Sequence, residues 1–222
     1  MNEKRSKWLN KAGGLSLVIV GVSYLIGAIL SLIIGPAPSG TIDYMNALAA
    51  HKLLSLINFA FFTLADIFLI PAAIGLYFLL KKINKKAISI ASLLIIVFAV
   101  FDAAITEFSS FRLVALTQNF ATATNDIQRT AIMSTASNLL STLPLSTLCS
   151  FVISSVGLLI TAIVMRKASF RRLSTLPGLT AGIGGTLGGF YIVVPLFAAL
   201  MIPSMLAMGV WGIFAGREVR KK

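Results

Sequence analysis

The fold is decided by residues 53–110, LLSLINFAFFTLADIFLIPAAIGLYFLLKKINKKAISIASLLIIVFAVFDAAITEFSS. Two apolar runs, residues 53–80 and 87–110, flank the basic break KKINKK. A helix needs about 20 apolar residues to cross the hydrocarbon core of a bilayer, which is about 30 Å thick. Each run is long enough, so the stretch predicts two antiparallel membrane-spanning helices joined by a short basic loop.

The composition of the whole chain places it in a membrane. Of its 222 residues 57% are hydrophobic and only 12% are charged, and its mean hydropathy is +0.93. A soluble domain carries about 25% charged residues. The net charge of +12 resembles that of nucleic-acid-binding proteins, but the basic residues cluster at the ends of apolar runs. We therefore expect an integral membrane protein and no nucleic-acid partner.

Four further spans are predicted along the chain. The first apolar run is too long for the hydrophobic region of a signal peptide, so we expect a retained span. The apolar stretch 176–214 would measure about 58 Å as a single helix, which favours two spans with a turn before Pro195. The polar segment after the third span predicts one or two amphipathic helices lying at the external surface. The six predicted spans are residues 13–35, 53–80, 87–110, 140–165, 176–193 and 195–214.

The positive charges predict the orientation. Cytoplasmic loops of membrane proteins carry an excess of Lys and Arg. With six spans, four basic clusters lie on one side and only Lys52, Arg112 and Arg129 lie on the other. The sequence thus predicts a multi-pass protein of a prokaryotic inner (plasma) membrane, with both termini cytoplasmic. We interpret the clusters as topology determinants, with recruitment of anionic lipid as the alternative. The clusters are Lys4, Arg5, Lys7 and Lys11; Lys81, Lys82, Lys85 and Lys86; Arg166, Lys167, Arg171 and Arg172; and Arg217, Arg220, Lys221 and Lys222.

Two aspartates inside predicted spans are the main candidates for chemistry. Asp66 lies at the midpoint of the second span, and Asp102 lies roughly 5 Å beyond the midpoint of the third, towards the external side. An aspartate at a helix centre costs about 2.5–3.5 kcal/mol on insertion. No Lys or Arg inside a span can neutralise these groups. They must be protonated, solvated, or bound to a cation or a basic ligand.

Helical spacing extends this candidate site. At 100° per residue, His51, Ser55, Asn58 and Asp66 fall within an arc of about 80°, and Asp102 shares a face with Thr106 and Ser109. We expect a polar path from the external face to mid-membrane, beside a backbone carbonyl that Pro71 leaves free. Glu107 points about 140° from Asp102, where it can snorkel to the headgroups. The alternative is that the aspartates are protonated and hydrogen-bonded to neighbouring helices, and that His51 is a surface residue. The candidate binding residues are Asp66, Asp102, Asn58, Thr106, Glu107 and His51.

Small residues line one face of each of two later spans. Close helix packing uses small residues four apart, and we predict that role here, with a homo-oligomer as a further possibility. A dinucleotide site is not expected, because Leu187 stands where the fingerprint needs glycine. The single His51 and single Cys149 exclude a His-rich metal site and an intrachain disulfide, and we expect no catalytic residue, metal or cofactor. The packing residues are Gly178, Gly182, Gly185 and Gly189, and Ser146, Ser150, Ser154, Gly157 and Thr161.

The layout of the chain resembles a prokaryotic membrane family known as domain of unknown function 4386. A basic N-terminal segment leads into a glycine-containing first span, and the second span ends in LYFLLKKINKK, residues 76–86. A polar segment follows the third span, and a glycine-rich pair of spans closes the chain. The resemblance implies a six-helix membrane protein of undefined activity and supplies no catalytic residues.

The fold prediction is an all-α integral membrane protein, a bundle of six transmembrane helices with short loops and a helical external segment between spans three and four. The leading hypothesis for function is binding of a proton, small cation or amphiphilic ligand at Asp66 and Asp102, for transport or sensing. The first alternative is a structural or accessory subunit that packs through its Gly and Ser faces. The second is an intramembrane lipid-modifying enzyme, for which the sequence offers no defensible nucleophile or metal site. Membrane lipids are expected partners in every case.

Overall fold

The computed structural model describes residues 3–36, 38 and 40–222, with side chains from Lys7 onward. The predicted charges of Lys4 and Arg5 therefore lie outside the described side chains. Every regular element in the described chain is a helix. The elements are α1 (Glu3–Ile34), α2 (Thr41–Ala50), α3 (Lys52–Phe101), a π-helical segment (Asp102–Glu107), α4 (Phe108–Thr122), α5 (Asp126–Lys167), α6 (Arg172–Gly189), two 3-10 turns (Phe190–Ile192 and Pro195–Leu200) and α7 (Met201–Val219).

Four of the described helical stretches are long and apolar enough to cross a membrane. By length and composition the chain is thus a membrane protein. The glycine-rich α6 is not among the four, and one stretch, Lys52–Thr122, is far longer than a single crossing needs. The four stretches are Lys7–Ile34, Lys52–Thr122, Asp126–Lys167 and Pro195–Val219.

Helix α3 is a hairpin of two helical legs. Asn84 has non-helical torsion angles, φ −152° and ψ 92°, and its side chain accepts a hydrogen bond from the Ala87 N–H at 3.1 Å. The Ser92 hydroxyl donates to the Ala73 carbonyl at 3.3 Å, although 19 residues of straight helix would span about 28 Å. Residues 52–83 and 85–101 are therefore antiparallel neighbours, with the basic break at their turn.

The polar segment after the third predicted span is helical over most of its length. The second leg of α3 continues through the π-helical segment into α4, and α5 begins only three residues after α4 ends. Residues 108–122 contain no Gly or Pro that would stop a helix. The break comes at residues 123–125, where the Asn125 side chain accepts a hydrogen bond from the Gln128 N–H at 2.9 Å and caps α5. The expectation that this segment is helical is thus confirmed, and the position of its helices at the external surface stays a prediction.

These extensions form a helical cap at one end of the bundle. We define the cap as α2, α4 and residues 126–143 of α5. Its apolar core is formed by Met45 and Leu48 of α2, Leu113 and Val114 of α4, and Ala136 of α5. We call this the cap end of the molecule. The opposite end, where the α3 turn and the C-terminal basic cluster lie, is the basic end.

Close glycine contacts hold the bundle together around α1. A side chain at Gly13 would lie 2.8 Å from the Cα of Gly75 in α3. One at Gly21 would lie 2.5 Å from the Gly209 carbonyl oxygen and 2.6 Å from the Ile213 nitrogen of α7. Because backbone atoms cannot move aside as a side chain can, these helices approach only where glycine stands.

The glycine face of α6 is buried inside the chain. Gly182 faces Leu159 of α5, Gly189 faces Val152, and Gly178 faces the Trp211 ring of α7. The serine stripe of α5 does not pack against α6 alone. Gly157 in that stripe faces Ile95 in the second leg of α3. Of the remaining positions in the two stripes, Gly185 faces Ser155. The buried hydroxyls of Ser146 and Thr161 donate hydrogen bonds to the carbonyls of Leu143 and Gly157. Ser150 and Ser154 line a cavity.

Candidate functional site

A cavity of about 390 Å³ lies within the bundle. All seven α-helices and the π-helical segment supply part of its wall, α2 through Tyr44 and α4 through Ser110. Its size is within the range of about 300–1,000 Å³ that is common for small-molecule sites. The cavity is therefore the candidate functional site.

Two carboxyl groups, those of Asp102 and Glu107, face this cavity. Glu107 is only 6% exposed, and its Oε2 atom has no hydrogen-bond partner. The hydroxyls of Thr106 and Ser150 lie close to the Asp102 carboxyl, yet both are buried without a hydrogen bond of good geometry. The site thus contains acidic groups and hydroxyls whose hydrogen-bonding capacity is not used by the protein.

The π-helical segment brings the two carboxyls together. In such a segment the hydrogen bonds run from residue i to i+5, so residues five apart lie one above the other along the helix. Asp102 and Glu107 are the first and last residues of this segment. The predicted angle of 140° and the predicted snorkelling of Glu107 are therefore wrong, because both assume a uniform α-helix. Glu107 is buried beside the cavity instead.

Asp66 lies behind the cavity rather than in its wall. It is 1% exposed, and its Oδ2 atom has no hydrogen-bond partner. The Ser92–Ala73 hydrogen bond sets the register of the hairpin, which puts Ala99 opposite Asp66, about 4.5 Å along the axis from Asp102. Of the three acids, Asp102 and Glu107 therefore line the cavity and Asp66 does not.

Aromatic rings and methionines form the rest of the wall. Tyr24 of α1 and Phe62 of α3 meet edge to face, with their centroids 5.8 Å apart. Aromatic faces attract cations, and thioethers adapt to irregular ligands. None of the described lining residues is a Lys or an Arg. The aromatic and methionine residues are Tyr24, Tyr44, Phe59, Phe62, Phe98 and Phe151, with Met201, Met205 and Met208.

A second cavity of about 230 Å³ adjoins the first at the cap end. The two share Ser31, Tyr44, Asn58 and Phe59, and the second reaches the loop at Gly35 that follows α1. At their boundary the Asn58 amide donates to the Ser31 hydroxyl at 3.1 Å. The Asn58 carbonyl oxygen has no partner. Polar groups of Ser31 and Asn58 thus lie where the two cavities adjoin.

The predicted site residues therefore separate into three groups. Asp102, Glu107, Thr106 and Asn58 line the main cavity. Asp66 is buried behind it, as described above. His51 is exposed where α2 meets α3 and lines neither cavity, so the alternative of a surface residue describes it. Ser55 lines the second cavity, and Ser109 is buried without lining either one.

The sequence does not indicate that α1 and α7 form part of the cavity wall. Tyr24 stands near the middle of an apolar span, and Met201, Met205 and Met208 follow one another at helical spacing. These were the available signals, but each is also typical of an ordinary packed core. Only the tertiary arrangement shows that both elements face the acids of the third predicted span.

No family model, curated protein or solved structure matches this chain. The chemistry of the cavity is therefore the basis for assigning a function.

Proposed function

We propose that this protein binds a small organic cation with an apolar or aromatic body, captured from the cap end for sensing or as the first step of transport. The observation that carries the proposal is the pair of acids, Asp102 and Glu107, in a cavity with aromatic walls and no basic residue. A buried carboxylate needs a counter-charge or a hydrogen-bond donor. A cationic ligand would supply the charge, and the rings of Tyr24 and Phe62 would hold its apolar body.

The proposal includes a six-span topology with both termini in the cytoplasm of a prokaryotic cell. The hairpin turn at Asn84 lies inside the longest apolar stretch, which supports two crossings there. Helix α6 adds the sixth, because its 18 residues measure roughly 27 Å, close to the core thickness. Lys11 and Gly35 lie at opposite ends of the first span, about 36 Å apart along α1. The positive-inside rule then favours the cap end as the external side. Kinship with the family that the layout resembles stays a prediction.

The accessory-subunit alternative has less support. Gly182 and Gly185, the residues through which it would bind a partner, contact Leu159 and Ser155 of the same chain. A lipid-modifying activity likewise lacks support, because the described residues of the main cavity include no His or Cys that could form part of a catalytic dyad or triad. Ligand binding is the function that the cavity supports best.

Titration calorimetry with benzyltrimethylammonium tests the proposal. This probe carries a fixed charge and an aromatic ring, and it cannot donate a proton to the acids. We expect the purified wild-type protein to bind it, and Asp102→Asn or Glu107→Gln to weaken binding at least tenfold, equivalent to about 1.4 kcal/mol. Asp126→Asn is the matched control, because Asp126 is exposed at the start of α5.

The Asp126→Asn control distinguishes binding in the cavity from a general attraction between the cation and the acidic residues of the protein. If Asp126→Asn weakens binding as much as Asp102→Asn does, the cavity is not the site. If the wild-type protein binds neither benzyltrimethylammonium nor the larger tetraphenylphosphonium ion, the cation-binding proposal is wrong.

A further inference from the structure

A basic groove of about 1190 Å³ lies at the end of the molecule opposite the cavity. Three segments that are distant in sequence form it: the start of α1, the start of α6 and the end of α7. Among the side chains that the structure describes, six basic ones and one carboxylate line it. These residues are Lys11, Arg171, Arg217, Arg220, Lys221 and Lys222, with Glu218.

The one acid is already engaged by the protein. Both carboxylate oxygens of Glu218 accept hydrogen bonds from the Arg171 N–H at 3.2 Å, and one accepts from the Ser174 hydroxyl at 2.6 Å. Glu218 therefore caps the N-terminus of α6, where a negative charge is stabilised. These hydrogen bonds of Glu218 link α6 to α7 and fix the floor of the groove. The charge of Glu218 is directed at the N-terminus of α6.

Several of the basic side chains have no anionic partner. Lys222 is partly engaged, since its Nζ donates to the Ala168 carbonyl at 3.1 Å and lies 3.9 Å from the centre of the Phe170 ring. Arg217, Arg220 and Lys221 are exposed, and no carboxylate in the described part of the chain pairs with them. The Arg220 side chain lies on Gly14 of α1, where the absence of a side chain makes room for it. An anion is the ligand that these groups would bind.

An apolar wall adjoins the charges. Trp8 is 66% exposed, Leu15 49% and Leu173 62%, and all three line the groove. Tryptophan is typical of the boundary between headgroups and hydrocarbon. The groove thus combines a cationic rim with an apolar side, which matches a molecule that has a phosphate head and an acyl chain.

We propose that this groove binds an anionic phospholipid. Its phosphate contacts Arg217, Arg220 and Lys221, and an acyl chain lies along Leu15 and Leu173. Arginine forks bind phosphate oxygens in pairs, and a juxtamembrane basic cluster attracts anionic lipids. Topology alone explains the presence of the charges, but it does not explain why three separate segments arrange them around one groove. This inference is independent of the ligand proposed for the cavity.

Native mass spectrometry with added lipid tests it. The full chain in mild detergent is titrated with phosphatidylglycerol or phosphatidylcholine, and the lipid-bound fraction is measured for three proteins. They are the wild type, Arg217→Gln/Arg220→Gln/Lys221→Gln, and the matched control Lys82→Gln/Lys85→Gln/Lys86→Gln. The control removes the same charge from exposed lysines at the α3 turn, which do not line the groove.

We expect one phosphatidylglycerol to remain bound to the wild type and to the control, and the groove variant to lose at least tenfold in affinity. Equal losses in the two variants, or equal retention of phosphatidylcholine, would overturn the proposal. Displacement of the lipid by millimolar inorganic phosphate would also overturn it, because it would identify a phosphate site in which the apolar wall has no role. All substituted residues are exposed, so circular dichroism should show an unchanged helix content.

Discussion

The three acids inside the predicted spans differ in their position relative to the cavity. Asp102 and Glu107 line a cavity of about 390 Å³, whereas Asp66 is packed behind it at 1% exposure. The sequence identifies all three as candidates, because a carboxyl group in an apolar span is costly. The sequence does not show which of the three acids faces the cavity. The position of a residue along a helix does not reveal which residue of a neighbouring helix lies opposite it.

Replacing Asp66 tests this distinction. Asp66→Asn keeps the shape of the side chain and removes an acid whose Oδ2 is buried without a partner. We expect the melting temperature in detergent to rise by roughly 2–4 °C, corresponding to about 1 kcal/mol. Affinity for benzyltrimethylammonium should fall much less than in Asp102→Asn. A lower melting temperature, or complete loss of binding, would mean that Asp66 has a direct structural or ligand contact.

At the scale of helices, two features show what the sequence can and cannot predict. The hairpin at residues 81–86 is predictable, because four lysines cannot remain in hydrocarbon and the chain must turn there. The π-helical segment is not, because no residue type within Asp102–Glu107 marks it. With a uniform turn of 100° per residue, Asp102 and Glu107 would point in different directions. In the structure both line the same cavity. The glycine contacts between α1 and α7 also need the tertiary arrangement to be recognised.

Alanine at selected glycines tests the packing of α1 against α7. In Gly21→Ala the new Cβ would meet the backbone of Gly209 and Ile213, so we expect a loss of about 1–3 kcal/mol in stability. Gly188→Ala is the matched control, since its nearest neighbour would lie at 3.4 Å and helix propensity favours alanine. Thermal denaturation in detergent measures both. Equal melting temperatures for the two variants would contradict the close approach of these helices.

At the scale of the whole molecule, two sites of opposite charge lie at different ends of one bundle. The acidic cavity and the second cavity share Asn58 towards the cap end, and the basic groove, which Lys11 lines, lies at the other end. The separation follows from the proposed topology, because positive residues stay in the cytoplasm. Composition predicts the membrane class and the clustering of positive charge. It does not predict the cavity, which depends on how all seven helices pack.

Cysteine labelling tests the proposed orientation. The chain has one cysteine, Cys149, so Cys149→Ala provides a background for single reporters. In intact cells with a permeable outer barrier, a membrane-impermeant maleimide should label Thr124→Cys at the cap end. It should not label Lys85→Cys in the α3 turn until the membrane is opened. The reverse pattern would place the cavity entrance in the cytoplasm, and labelling of both sites in intact cells would rule out their lying on opposite sides.

Native mass spectrometry of the gently solubilised protein, without added ligand, measures whether Asp102 and Glu107 hold a cationic ligand in the cavity. The wild type is compared with Asp102→Asn/Glu107→Gln and with the control Asp126→Asn. We predict a bound small cation on the wild type and on the control, and none on the double variant. The same bound mass on all three proteins would contradict the claim, as would a wild-type protein that carries no ligand even after incubation with benzyltrimethylammonium.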